Sequence, residues 1–207
     1  MCYSAEVSIG TFSFVSVISL YLWFRNKKID RCIALILFTI SIMQFFEYIL
    51  WTHPDCDEYN KAVSAAIPVY LFLQPAMFAF ITWILGAGTG QYYPLIFLSS
   101  LPILLFRNYK TQTCIKPGEG GHLDWKLTEA DNLLNFKYAF PDTLASLLYY
   151  GAIIYTIATL KSRSLSAIML GLFGVTWFVE SIRHKAVWGS IWCHSANVAA
   201  VLAVFYQ

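Results

Sequence analysis

Two glutamates stand inside apolar stretches, Glu47 in SIMQFFEYILW and Glu180 in VTWFVESIRHK. A carboxylate within a membrane span costs about 2.5–3.5 kcal/mol on insertion scales and marks a functional site by default. Gln44, Glu47 and Trp51 recur at i, i+3 and i+7, so they share one helix face. Trp177, Glu180, Ser181 and His184 repeat the pattern. Such groups suit acid–base work, with Glu47 or Glu180 as general acid or base and His184 as a proton shuttle. Gln44, Trp51, Trp177, Cys193, His194 and Asn197 would line a ligand pocket, with Gln74 nearer mid-segment beside a proline that frees backbone carbonyls. The competing reading is structural. Glu180 would pair locally with Arg183 or His184, and Glu47 would accept hydrogen bonds as helix-packing glue. Trp23, Trp51, Trp188 and Trp192 would then form an interfacial belt, while His53 and His122 read as solvated loop residues.

Cys2 adds a nucleophile. Loss of Met1 would leave a free α-amine beside a thiol, a pair that serves as an N-terminal nucleophile or as a two-point metal ligand. Glu6 follows at i+4, on the same side if the first helix starts early. Against this, Cys2 reads equally as an unstructured end or as half of a disulfide with Cys193. The five cysteines contain no CxxC or zinc-ribbon spacing, which speaks against a structural zinc site. The identity of any metal or cofactor stays open. Cys56 and Cys114 both fall in polar connections, and a loop-to-loop disulfide between them is the plain expectation if their face is extracellular or lumenal.

The elements that must position these residues follow from composition. Of 207 residues, 58% are hydrophobic and only 13% are charged, about half the charged fraction of a soluble domain. The deficit runs along the whole chain, as in a polytopic membrane protein. The net charge of +2 says nothing about nucleic acid, but Lys and Arg lie between apolar segments and never in a dense run, so no nucleic acid is expected as a partner. The lipid bilayer is the expected partner, with a small molecule or lipid as ligand.

Spans of about 20 apolar residues cross a bilayer. Seven candidates are expected at 7–24, 32–51, 62–85, 91–106, 142–160, 165–182 and 187–206, forming one transmembrane domain over 1–207. The third carries Pro68 and Pro75, the fourth Pro94 and Pro102. No basic residue precedes the first span, which reads as a retained helix and not as a cleavable signal. A long ordered loop, 107–141, separates the fourth and fifth spans; its PGEGG turn followed by alternation in HLDWKL suggests a short hairpin or a cap over the bundle mouth, against an irregular solvated loop.

This all-α bundle puts RNKKIDR, GAGTGQ and KSRS on one face. The N-terminus, the acidic loop THPDCDEYN, the 107–141 segment and IRHKAV fall on the other. The basic short links favour the first face as cytoplasmic and the N-terminus as non-cytoplasmic, although the long segment also carries basic residues.

The start Met1-Cys2-Tyr3-Ser4-Ala5, the basic turn after the first helix, and a second helix ending Gln44-x-x-Glu47-x-x-x-Trp51 resemble a group of small multi-pass membrane proteins. WGSIWC at 188–193 extends the likeness. The resemblance implies a polytopic helical fold with a meaningful N-terminus and carries no activity. Three functions follow from the residues: a membrane-embedded site that binds a small molecule, lipid or metal, with catalysis through Cys2; a transporter or channel using the proline-broken spans; or a seven-helix sensor. No span holds a mid-membrane Lys for a retinal Schiff base, which excludes a rhodopsin.

Overall fold

The computed structural model describes residues 4–88, 92, 93, 95, 96, 98, 114–118, 123, 124, 150–183 and 188–205. Within these, Pro68, Phe72, Asp124 and residues 176–183 and 188–196 are described by their backbone.

Helix α1 (Ala5–Arg25) starts on Ser4, whose Oγ accepts from the Val7 amide at 3.3 Å, an N-cap that satisfies one orphan donor. It ends at Asn26, in the left-handed region at φ 51°, with its N–H on the Leu22 carbonyl, the conformation asparagine tolerates at a helix end. Ser8, Val15, Ser19 and Leu22 form its buried stripe. Phe14, Val17, Leu20, Tyr21 and Phe24 stay exposed on the outside. A face that greasy suits hydrocarbon and not water.

Helix α2 (Asp30–Thr52) is central, packed on α1, on α3 (Glu58–Ile84) and on α5 (Trp188–Phe205). Among the described residues α1 and α2 are long and apolar enough to cross a membrane, with mean hydropathies of 1.7 and 2.0. About 61% of the α2 window is buried against 22% for α1, the difference between a core helix and a rim helix. Helix α3 is bent by 51° between its halves Glu58–Leu71 and Leu73–Ile84, and counts as a third span if the halves are one. Pro75 explains the bend, since it removes the N–H that would meet the Leu71 carbonyl four residues back.

Beyond α3, strands β1 (Lys116–Pro117) and β2 (Leu123–Asp124) pair antiparallel, so the hairpin expected around PGEGG forms. Residues 150–158 are helical, and α4 (Arg163–Arg183) leads towards α5. The chain is thus mostly helical. The expected spans at 7–24, 32–51, 62–85, 165–182 and 187–206 coincide with α1 to α5 to within a few residues. Of 91–106 and 107–141 the larger parts lie outside the described residues, and of 142–160 the part before residue 150 does.

Two clusters form the core. One gathers Leu22, Ile33, Leu37, Phe78, Ile153, Leu165 and Ala200 at the end where α1 meets α2. The other joins Met43 and Leu50 of α2 to Val63 and Ile67 of α3 and to Ile115 and Leu123 of the hairpin. The hairpin therefore caps the opposite end of the bundle.

The first end is buckled by three contacts. Arg25 forks onto Asp30 (Nε–Oδ2 2.7 Å, Nη2–Oδ1 2.9 Å) and donates to the Val204 and Ala203 carbonyls at 2.6 and 3.1 Å. The Lys161 amide donates to the Ala87 carbonyl at 2.8 Å. Gly88 comes so close to Thr82 and Thr159 that an added Cβ would lie 3.3–3.4 Å from their atoms. RNKKIDR, KSRS and the described start of the link between them, Gly86 to Gly88, therefore share an end with the C-terminal turn of α5.

Candidate functional site

The capped end is organised by Asn60. It is fully buried, and its Nδ2 donates to the His53 and Ile115 carbonyls, both at 2.8 Å. Its Oδ1 accepts from Ser64 Oγ at 3.0 Å and from the Ile115 amide at 3.2 Å, while Ser64 Oγ also accepts from that amide at 2.9 Å. Cys56 and Cys114, their Cα atoms 5.6 Å apart, are joined in a disulfide beside it, as the loop positions predict. Asp57 caps α3, accepting from the Asn60 amide at 2.9 Å, and also meets His53 Nδ1. The Asn60 N–H, aided by His53, holds the Asp57 carboxyl below the usual carboxylate range. His53 is half-buried, its ring 4.8 Å from that of Tyr59.

Behind this cap lie the buried polar residues of α2. Gln44 and Glu47 are 0% and 1% exposed. Glu47 falls between Met43 and Leu50 on one helical face, and those two contact the cap residues Ile115 and Leu123 through a shared cluster. Trp51 packs against the same cluster, half-buried. Gln74 of α3 is fully buried, one turn before Phe78. Tyr70, a turn nearer the cap, donates from its hydroxyl to the Thr39 carbonyl at 2.6 Å and sets its ring edge-on to Phe46.

The remaining candidates distribute differently. Glu6 is exposed in the first turn of α1, where a carboxylate complements the helix dipole. Helix α1 begins at Ala5, after an extended Ser4. Cys2 itself and His184 lie outside the described residues, as does His122. Trp177 and Glu180 sit on α4, and Cys193 and His194 on α5, with their side chains outside the described residues. Asn197 of α5 is partly buried, and its Oδ1 makes no hydrogen bond among the described residues. Among the described residues no group of three His, Cys, Asp or Glu side chains is placed to hold a metal ion.

In the other half of the bundle is a cavity of about 40 Å³. Ile33, Ile36 and Ile40 of α2 form one wall and Phe78 of α3 another. Leu165, Met169, Leu172 and Phe173 close it from α4, and Ala199 from α5. The buried thiol of Cys32 and Thr156 also line it, but the Thr156 hydroxyl is spent on the Ala152 carbonyl at 2.8 Å. Water needs two to four polar partners, so this space suits hydrocarbon.

Sequence reasoning missed Asn60, the Arg25–Asp30 fork and the apolar cavity. An Asn one turn into an apolar helix, three residues after a capping Asp, was the available signal for the first. Arg25 and Asp30 flanking a tight turn announced the second. The cavity leaves no mark in any single segment. Taken together, these features describe a mostly helical chain with two helices long and apolar enough to cross a bilayer among the described residues and a disulfide-bonded cap at one end. Comparison with protein-family models, with curated proteins and with solved structures finds no match.

Proposed function

We propose that the chain is a multi-pass integral membrane protein of seven spans that binds the positively charged group of a small molecule, lipid or metal ion at its disulfide-capped end. Glu47 is the charged contact, with Gln44 and Gln74 as amide partners. The observation that carries this reading is the burial of Gln44 and Glu47, at 0% and 1% exposure, on a helix suited to crossing a membrane. A carboxylate costs about 2.5–3.5 kcal/mol to insert there, and an ionisable group within a span is a functional-site candidate by default. The capped end faces the non-cytoplasmic side, and the N-terminus with it. Supporting this, the disulfide belongs to an oxidising compartment, and the opposite end carries Arg25, Lys27, Lys28, Arg31, Lys161 and Arg163.

The test is a stability titration in detergent with choline, spermidine, Ca²⁺ and Zn²⁺, on the wild type and on Glu47→Gln. At least one of these raises the unfolding temperature of the wild type and loses about tenfold or more in affinity in Glu47→Gln, the size of one charge-assisted contact. Equal affinities in both proteins for every cation that binds would remove Glu47 from the site. A second reading, transport, is favoured by the 51° bend of α3 beside Gln74, since broken helices supply midplane ligands. Liposomes that stay impermeable to the bound cation would exclude it.

A further inference from the structure

We infer that the end of the bundle opposite the cap is a docking surface for anionic phospholipid, its basic turns gripping the head-group phosphates of one bilayer leaflet. Such docking is independent of Glu47 and requires only that α1 and α2 cross the bilayer.

Charge is divided unevenly between the two ends. Lys27, Lys28, Arg31, Lys161 and Arg163 are all exposed at the buckled end. Leu160 and Leu165, which flank the second pair, pack in the same cluster as Leu22 and Ile33, which flank the first three, so the five cations share one surface. Among the described residues the one acid there is Asp30, which is 3% exposed and already forked by Arg25. It offsets Arg25 and leaves the five exposed cations without a counter-charge among the described residues. The loop entering α3 at the other end carries Asp55, Asp57 and Glu58, all exposed.

Aromatic rings set the depth of these cations. The Arg31 guanidinium lies over the Trp23 ring, its Cζ 5.2 Å from the centroid, and its Nε donates to the Trp23 carbonyl at 3.5 Å. Arg25 meets the Tyr21 ring at 5.5 Å. At the end of α3, Trp83 is 53% exposed and stacks on Tyr93, with centroids 6.1 Å apart and planes at 9°. Trp and Tyr seat where hydrocarbon gives way to head groups, and Lys27 follows Trp23 by about one helical turn, at the level of the phosphates. Stacking orders a guanidinium, which meets phosphate through two parallel bonds. A zwitterionic head brings its own cation to compete for the phosphate, and an anionic head does not. Each Lys or Arg beside an anionic leaflet is worth about fivefold in binding.

The probes are phosphatidylglycerol and phosphatidylcholine carrying the same diazirine near the carboxyl end of one acyl chain. Each is present at low abundance in mixed vesicles of the two lipids that hold the full chain, and crosslinked residues are mapped by mass spectrometry. The glycerol-to-choline labelling ratio at residues 21–31 and 161–163 should exceed that at the capped end, Glu6 and residues 51–59, by about fivefold or more, the worth of one cation. Lys27→Gln, Lys28→Gln and Arg31→Gln together should bring the excess at 21–31 close to one, and Lys161→Gln with Arg163→Gln should do the same at 161–163. So should about 1 M NaCl, where the screening length is about 3 Å. All five side chains are exposed, and the wild-type map stands without the variants.

Equal ratios at the two ends would overturn the docking surface and leave the membrane reading standing, as would an excess at 21–31 that survives the triple variant. Loss of the excess in potassium phosphate but not in NaCl of equal ionic strength would assign the surface to a free anion and overturn the lipid. Labelling by neither probe at either end would sink the membrane reading as well. The Glu47→Gln titration concerns the other end and moves with none of these outcomes.

Discussion

Asn60 spends its whole side-chain amide on the cap: two carbonyls accept from it, and a hydroxyl and an amide donate to it. Replacing it with leucine strands the His53 and Ile115 carbonyls in the interior, where each orphan costs about 1–3 kcal/mol. Asn60→Leu should therefore destabilise the protein by roughly 2–4 kcal/mol and expose the Ile115 amide, read as accelerated hydrogen exchange at that residue. Asn60→Asp keeps the acceptor and should fall between. Asp57 gives the cap a pH response. Its folded carboxyl is more acidic than its unfolded one, so its contribution is present above the unfolded value and is lost as pH falls through the folded one. Stability should decline below about pH 4, and thermal unfolding of Asp57→Asn across pH 3–6 should show a flatter profile than the wild type.

At the scale of elements, the uncapped end depends on Arg25. Its guanidinium closes the α1–α2 turn through Asp30 and meets the last carbonyls of α5, where a cation complements the helix dipole. Asp30 is buried to 3% exposure, so Arg25→Met leaves a carboxylate stranded and should cost roughly 3 kcal/mol in denaturant unfolding. Adding Asp30→Leu should return part of that loss, because the stranded charge and not the missing bridge dominates. The helices on both sides of this turn are legible from hydropathy alone. The clamp is not, because its partners Arg25 and Val204 are 179 residues apart.

At the scale of the molecule, the two ends are held by different chemistry. Ionic and backbone contacts tie one, and the Cys56–Cys114 bond with its hairpin ties the other. Closing 58 residues of chain is worth about 4 kcal/mol on the loop-entropy account. The Cys56→Ser, Cys114→Ser double variant should lose stability of that order and protection of the hairpin, while α1 and α2, which pack on each other independently of the cap, keep theirs in hydrogen exchange. Retained protection at Ile115 would show that Asn60 alone secures the cap.

By itself the sequence determined the quantities that add up locally. Apolar runs of about twenty residues, a shortage of charge along the whole chain, prolines and basic links placed five of the seven expected spans on described helices. They also put Glu47 and Gln44 on one face of α2, and loop position alone paired Cys56 with Cys114. Tertiary structure decided what depends on residues meeting across the chain: that this face of α2 points inward, that Asn60 finds Ile115 at a separation of 55, and that five segments leave a small apolar cavity between them. Burial and pairing are properties of the packed bundle. No summation over neighbours in sequence reaches them.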